Sequence, residues 1–325
     1  MACSGYLPNT AVPVSNLCYS YSKLKNYKKL FACTEQMDKH IAQGDKKIFL
    51  QSARRGFGRM AESGGAGRID GSAYPSLLRA EAFIDMGDYA KAAEEAQKAA
   101  GLCSLVRPSS FVGAEQHECS ITALGLSGLA AALNKNATTA KRAVEDMNRL
   151  DLGVAAIAIT SPMRQMAVAR IYMTLGEYET ALGYMNDYFG SARFLANLFV
   201  GAVGKSSSVF ANQELPYEYI RAKCQLETGR LKEAKSSLDS LLEYPQIKDN
   251  GEIYWMLLSD RGRIAEKEGD LKGAADYYRK AVDVIELQRS TINTETSKIG
   301  FVGDKQSVYR SLVSVLFRDG QYDAA

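Results

Sequence analysis

Five stretches of this chain share one signature: a glycine, any residue, a tyrosine or leucine, any two residues, then an alanine. They are Gly87-Tyr89-Ala92, Gly176-Tyr178-Ala181, Gly229-Leu231-Ala234, Gly269-Leu271-Ala274 and Gly320-Tyr322-Ala325. Weaker copies lie at Lys25-Tyr27-Leu30 and Lys135-Ala137-Ala140. Each part has a physical cause. Glycine ends a helix in the left-handed conformation that a Cβ disfavours. The tyrosine or leucine two residues later packs into the turn. The alanine lies where a second helix comes closest to the first, so a larger side chain would push the two apart. A chain built on this signature folds as a series of helical hairpins.

The flanks agree. Seven residues before the turn stands another small residue, Ala80, Gly128, Ala169, Ala222 or Gly262, which gives the first helix its own contact point. Apolar residues continue downstream at helical spacing, as in Ala96 and Ala99, Met185 and Tyr188, Leu238 and Leu241, Tyr278 and Ala281. These residues resemble the tetratricopeptide repeat, whose motif places small residues in both helices and a Gly-x-Tyr-x-x-Ala turn between them. The resemblance runs from about Leu17 to Ala325. It implies an all-α, right-handed solenoid of stacked antiparallel hairpins, each burying its apolar face only against its neighbours. The basic unit is roughly 34 residues long. Here successive marker glycines stand 40 to 89 residues apart, and the repeats, of about 40–53 residues, are irregular.

The expected organisation is an N-terminal tail (1–12), a degenerate first repeat (13–53), a Gly-rich loop (54–72), a solenoid (73–283) and a final helical connection with a truncated last repeat (284–325). Gly201–Pro216 is expected to be a further insertion between repeats.

Charge argues against one class of partner. Lys and Arg number 40 against 37 Asp and Glu, a formal net charge of +3, which is no concentrated basic face for nucleic acid. The longest apolar run, Phe194–Val203, is about half of the ~20 residues that a spanning helix needs, so no transmembrane segment is expected. Gly204-Lys205-Ser206 resembles the end of a phosphate-binding loop, but Phe199 stands where its first glycine belongs. The only histidines are His40 and His117. His117-Glu118-Cys119 sets a base beside a thiol, yet neighbours on a helix diverge by about 100°, and a Cys–His dyad must converge. No serine triad, H-E-x-x-H site or C-x-x-C pair can be assembled. No catalytic, cofactor-binding or metal-ligating residue is therefore expected.

Of the six cysteines, at 3, 18, 33, 103, 119 and 224, Cys103 and Cys119 bracket a loop-like stretch. An oxidising compartment could bridge them, and separate thiols are the alternative. Ala2-Cys3-Ser4-Gly5 resembles a bacterial lipoprotein cleavage site whose leader has been removed. That resemblance implies lipid on Cys3 and a periplasmic or outer-membrane location. An ordinary frayed N-terminus on a cytoplasmic protein is the alternative.

In tetratricopeptide proteins the first helix of each hairpin lines a concave face, and the residue six before the turn glycine points into it. The resemblance puts Arg170, Lys223 and Arg263 there, with Met166, Tyr219 and Ser259 four residues further upstream. Aligned basic side chains imply an acidic peptide or a C-terminal carboxylate as partner. The upstream residues do not reproduce the Lys/Asn pattern of the chaperone-tail-binding clamp, so that specificity does not carry over.

The last stretch, Val282–Ala325, resembles the junction in bacterial tetratricopeptide proteins that carry a C-terminal CHAT domain, a caspase-like peptidase fold. The matching residues are Ile285-Glu286, Arg289-Ser290, Phe301, Asp304-Lys305 and Val308-Tyr309, followed by Leu312, Val313 and Leu316 on an amphipathic helix. The family's catalytic His and Cys belong to the domain that would follow. The truncated last signature implies the same continuation, because solenoid ends normally carry a polar cap. The expectation is a non-catalytic module that binds a protein or peptide in a concave groove, as the recruiting or sensing arm of a longer CHAT-type protein. A free-standing envelope lipoprotein scaffold is the alternative.

Overall fold

A computed structural model describes residues 11–48, 69–104, 114–185, 207–244, 247–249, 251–290, 298, 301–303 and 305–321. Helices follow one another in pairs. The first hairpin is α1 (Ala11–Lys23) and α2 (Tyr27–Ala42), the second α3 (Tyr74–Asp85) and α4 (Tyr89–Cys103), the third α5 (Ala114–Leu133) and α6 (Ala137–Arg149). In the fourth, α7 (Gly153–Thr174) packs on α8, described over 178–185. Then come α9 (Ser207–Glu227) with α10 (Leu231–Leu242), and α11 (Gly251–Lys267) with α12 (Leu271–Ser290). A last helix, α13 (Gln306–Arg318), packs on α12.

The turns explain the pairing. The residues at 25, 87, 135, 176, 229, 269 and 320 all take the left-handed conformation, with φ between 54° and 82°. Five are the marker glycines, and the other two are Lys25 and Lys135 of the weaker copies. Each turn closes with the same two backbone hydrogen bonds. At Gly87 the amide of Asp88 donates to the Phe83 carbonyl (2.9 Å) and that of Gly87 to Ile84 (3.0 Å). At Lys135 the amide of Asn136 donates to Ala131 (2.8 Å) and that of Lys135 to Ala132 (3.0 Å). This double closure satisfies carbonyls that a helix end leaves open. The next residue then starts the second helix: the side chains of Asn26, Asp88, Asn136 and Asp270 each accept a bond from the amide three residues on.

Close approach between helices follows the small residues. A Cβ on Gly262 would stand 2.7 Å from the Tyr278 ring, and one on Gly128 would stand 2.5 Å from Cδ1 of Ile171 and 3.0 Å from Cβ of Ala143. Ala80, Ala169 and Ala222 at the same position are fully buried, as are Ala92, Ala140, Ala181, Ala234 and Ala274 on the second helices.

The helix neighbours build a solenoid. Helix α3 packs on α1, α2, α4 and α5; α5 packs on α3, α4, α6 and α7; α11 packs on α9, α10 and α12. First helices thus stack side by side, and each second helix wedges against the next first helix. Apolar residues gather accordingly: Ile121, Val144, Met147 and Ile171 join α5, α6 and α7, and Leu215, Leu238, Leu257 and Ile264 join α9, α10 and α11. The interval from 25 to 87 is longer than the others because a two-residue antiparallel ribbon, Lys47–Ile48 with Ile69–Asp70, intervenes.

Two expectations need correction. Gly201–Pro216 is not wholly an insertion, because α9 begins at Ser207 and carries Pro216 within it. An interior proline costs a helix ~3 kcal/mol. Leu215, Tyr217, Tyr219 and Ile220 are all buried around it, and each buried apolar side chain contributes ~1.5–3 kcal/mol, which offsets that cost. The stretch between Cys103 and Cys119 is also less loop-like than expected, since helix α5 has already begun at Ala114. Among the described residues no helix is long and apolar enough to cross a membrane; Phe194–Val203 lies outside them.

Candidate interaction face

Second helices cover one side of each first helix, and the stacked first helices repeat a row of residues along another. Six residues before each turn, that row reads Tyr19, Glu81, Leu129, Arg170, Lys223, Arg263 and Ser314. Arg170 is exposed. Lys223 and Arg263 are held in a compact ionic network between α9 and α11.

Asp260 is the centre of that network, with a side chain only 3% exposed. It accepts hydrogen bonds from Lys223 Nζ at 2.6 Å, Tyr219 Oη at 3.0 Å and Arg263 Nη1 at 3.2 Å. Glu227 takes the other side: both guanidinium nitrogens of Arg263 donate to its carboxylate, and Lys223 Nζ lies 3.1 Å from Oε1. Burial pushes the Glu227 carboxyl upward, but the hydrogen bond from Arg263 and the two cationic neighbours outweigh it and hold the group at about 2. The hydrogen bonds from Arg263 to Glu227 in turn raise the guanidinium further. Burial, followed by the Asp260 charge, raises the Tyr219 phenol. Two cations face two anions here, and the set is neutral.

The resemblance puts Tyr219 and Met166 in the groove. Tyr219 is 6% exposed, and its hydroxyl is used within the network. Met166 is half-buried against the cluster of Ala169, Ala181 and Met185. The local pairs, Lys223 with Glu227 four residues on and Arg263 with Asp260 three residues back, were available in the sequence, whereas the cross-links from Lys223 to Asp260 and from Arg263 to Glu227 span 37 and 36 residues.

The row has one acidic member, Glu81. Burial raises its carboxyl, against the opposing effect of Lys23, Lys25 and Arg170. Lys25 itself pairs with Asp85 across the first two hairpins.

Two buried arginines stitch neighbouring hairpins together, and no motif flagged them. Arg79 of α3 reaches Asp38 of α2 at 2.8 Å and Glu95 of α4 at 3.2 Å. Arg261 of α11 reaches Asp239 of α10 at 2.5 Å and lies over the Tyr277 ring, 5.0 Å from its centre. Both stand eight residues before a turn glycine, so their shared register was the available signal.

At the C-terminal end, residues that carried the junction resemblance meet in space. Tyr309 Oη of α13 donates to Glu286 of α12 at 2.6 Å, and Arg289 also binds Glu286. The Tyr309 hydrogen bond, followed by Arg289, lowers the Glu286 carboxyl despite partial burial. Lys305 is buried; its ammonium donates to the Phe301 carbonyl at 2.8 Å and lies 4.0 Å from the Phe301 ring centre and 5.6 Å from that of Trp255. Val308 and Leu316 are buried and Val313 is exposed. Asp304 lies outside the described residues, as do Cys3, Gly204 and Lys205.

Among the described residues no group of three His, Cys, Asp or Glu side chains is arranged to hold a metal ion. Cys119 beside His117 is joined to Cys103.

A tetratricopeptide-repeat family model matches residues 257–286, from within α11 into α12. The sixth hairpin thus matches the tetratricopeptide repeat. It is the hairpin in which Gly262, Gly269, Leu271, Ala274, Tyr278 and Ala281 all stand in place. The other hairpins share its turn geometry and stacking, so the chain is a tetratricopeptide-like solenoid. No curated protein and no solved structure matches it.

Proposed function

We propose that this chain is a non-catalytic protein-interaction module whose row of first helices receives an extended protein or peptide segment. The observation that carries the reading is the side-by-side stacking of α1, α3, α5, α7, α9 and α11, which repeats one face along the solenoid. Such repeats generally serve protein–protein interaction, and the fold is typically non-enzymatic. An acidic group on the partner would find its counter-charge at exposed Arg170, because Lys223 and Arg263 are already neutralised by Asp260 and Glu227.

The finer reading is that the module recruits or senses partners for a CHAT-type peptidase domain in a longer protein. It is supported by the contacts among Glu286, Arg289 and Tyr309 and those between Phe301 and Lys305 at the junction-like end. The alternative, an envelope lipoprotein scaffold, is favoured by the two cysteine pairs, which suit an oxidising compartment.

A photocrosslinking residue placed at Arg170 or Met166, with Lys272 on α12 as control, tests the main reading. Crosslinks to one partner from the first two sites and none from the third are expected. Equal labelling from all three would contradict it, and so would peptidase activity residing in this chain alone. Lipid found on Cys3 by mass measurement would favour the scaffold.

A further inference from the structure

We propose that Cys18–Cys33 and Cys103–Cys119 are native structural disulfides, and that the first replaces, in the first hairpin, the small-residue contact that closes the others. The inference does not depend on the partner-binding reading. Seven residues before the turn, hairpins two to six carry Ala80, Gly128, Ala169, Ala222 and Gly262. The same position in the first hairpin is Cys18. Helices α1 and α2 approach closely there, and the Cα atoms of Cys18 and Cys33 are 5.5 Å apart. A disulfide needs a Cα separation of roughly 4.4–6.8 Å. The close approach that elsewhere demands a glycine or alanine is thus the one a cystine requires.

The second pair does a different job. Cys103 ends α4 and Cys119 lies in α5, again with 5.5 Å between Cα atoms, so this bond joins the second hairpin to the third. Cys18, Cys33 and Cys103 are buried among apolar side chains and Cys119 is half-buried. Burial pushes the remaining described thiol, Cys224, up to about 12, so it stays protonated and does not compete in exchange.

The chemistry is thiol–disulfide exchange with an oxidised dithiol protein. The Cys119 thiolate attacks one sulfur of the oxidant's disulfide, forming a mixed disulfide and releasing one thiolate. The Cys103 thiolate then attacks the Cys119 sulfur and displaces the second. The two protons lost by the cysteines end on the reduced dithiol. Cys18 and Cys33 are both covered in the finished fold, so their bond forms before the first hairpin closes, while Cys119 remains reachable later. Bonds of this kind persist where the thiol pool is oxidising, which places maturation of this chain in such a compartment.

The test uses the full chain isolated from its source without reductant, denatured and alkylated. Trypsin separates Cys18 from Cys33, a glutamate-specific protease separates Cys103 from Cys119, and mass spectrometry reads the links. The expected result is 18–33 and 103–119 linked with Cys224 alkylated. An alkyl label on any of the four, or any other pairing among them, overturns the proposal. Mild reduction of the native protein should open 103–119 before 18–33, and the reverse order would contradict the assigned burial. The double variant Cys18→Ala/Cys33→Ala should raise the unfolding equilibrium constant about a hundredfold, the effect of releasing a loop of ~15 residues. A change within about twofold would show that the bond has no structural role.

Discussion

The first hairpin and the sixth make the same turn from different residues. In the sixth, Gly269 takes the left-handed conformation with φ 82°, Gly262 lets the Tyr278 ring lie against the helix backbone, and a family model matches the result. In the first, Lys25 takes the turn with φ 54°, and Cys18 and Cys33 occupy the contact. Both keep the double backbone closure, Asn26 to Tyr21 in one and Asp270 to Ala265 in the other, each at 2.9 Å. Both are stitched to a neighbouring hairpin by a buried arginine, Arg79 or Arg261. What the fold requires is therefore a left-handed residue and a close helix approach, and glycine and alanine are only the commonest way to meet those requirements. The cost of the alternative falls on the chain locally: a non-glycine residue in the left-handed region costs ~1–2 kcal/mol.

The comparison can be broken most strongly at Asp260. Replacing it with alanine leaves two cations sharing Glu227 in a largely buried site, and a loss of about 3–5 kcal/mol is expected. Chemical denaturation would measure it, and hydrogen exchange should place the loosening in α9 and α11 while α1 and α2 stay protected. A loss below about 0.5 kcal/mol would mean that the network does not hold these hairpins together.

Acid should divide the molecule in the same way. The folded carboxyl of Glu227, at about 2, lies below its ordinary value of 4.5, so its contribution is fully present above that value and fades as pH falls toward 2. Exchange protection in α9 and α11 should decline across that window. The covalent link in the first hairpin does not titrate there, and equal acid sensitivity at both ends would contradict the contrast.

A smaller effect is expected at the helix contact. Gly262→Ala puts a Cβ 2.7 Å from the Tyr278 ring, and overpacking of this kind costs about 1–3 kcal/mol. A melting temperature unchanged by this substitution would show that the ring gives way freely. The smallest effect belongs to the turns. Gly269→Lys, which makes the sixth turn like the first, should cost about 1 kcal/mol, and Lys135→Gly should gain about as much. Opposite signs in paired denaturation curves are the expected result, and equal signs would assign the turn preference to something other than φ.

Much of the fold was legible in the sequence because its determinants are local. The five glycines and the two weaker copies all mark turns, and the small residues seven positions earlier all lie where helices meet. Cys18 in that register went unread, because it is neither glycine nor alanine. The start of α9 at Ser207 was also missed, since a proline nine residues inside a helix argues against the helix until its buried neighbours are known. The interaction face was legible in position but not in charge. Arg170, Lys223 and Arg263 do share one register, yet Lys223 and Arg263 are spent on Asp260 and Glu227, while Arg170 is exposed and acts on the Glu81 carboxyl.

The sequence by itself determined where this chain turns and that its helices pair, because a left-handed residue and a small contact point act within a few residues of each other. The tertiary structure decided that Lys223 meets Asp260 and Arg263 meets Glu227, that Cys18 meets Cys33, and which arginines join neighbouring hairpins. Those outcomes depend on side chains from different helices, brought within a few ångströms only when the hairpins stack.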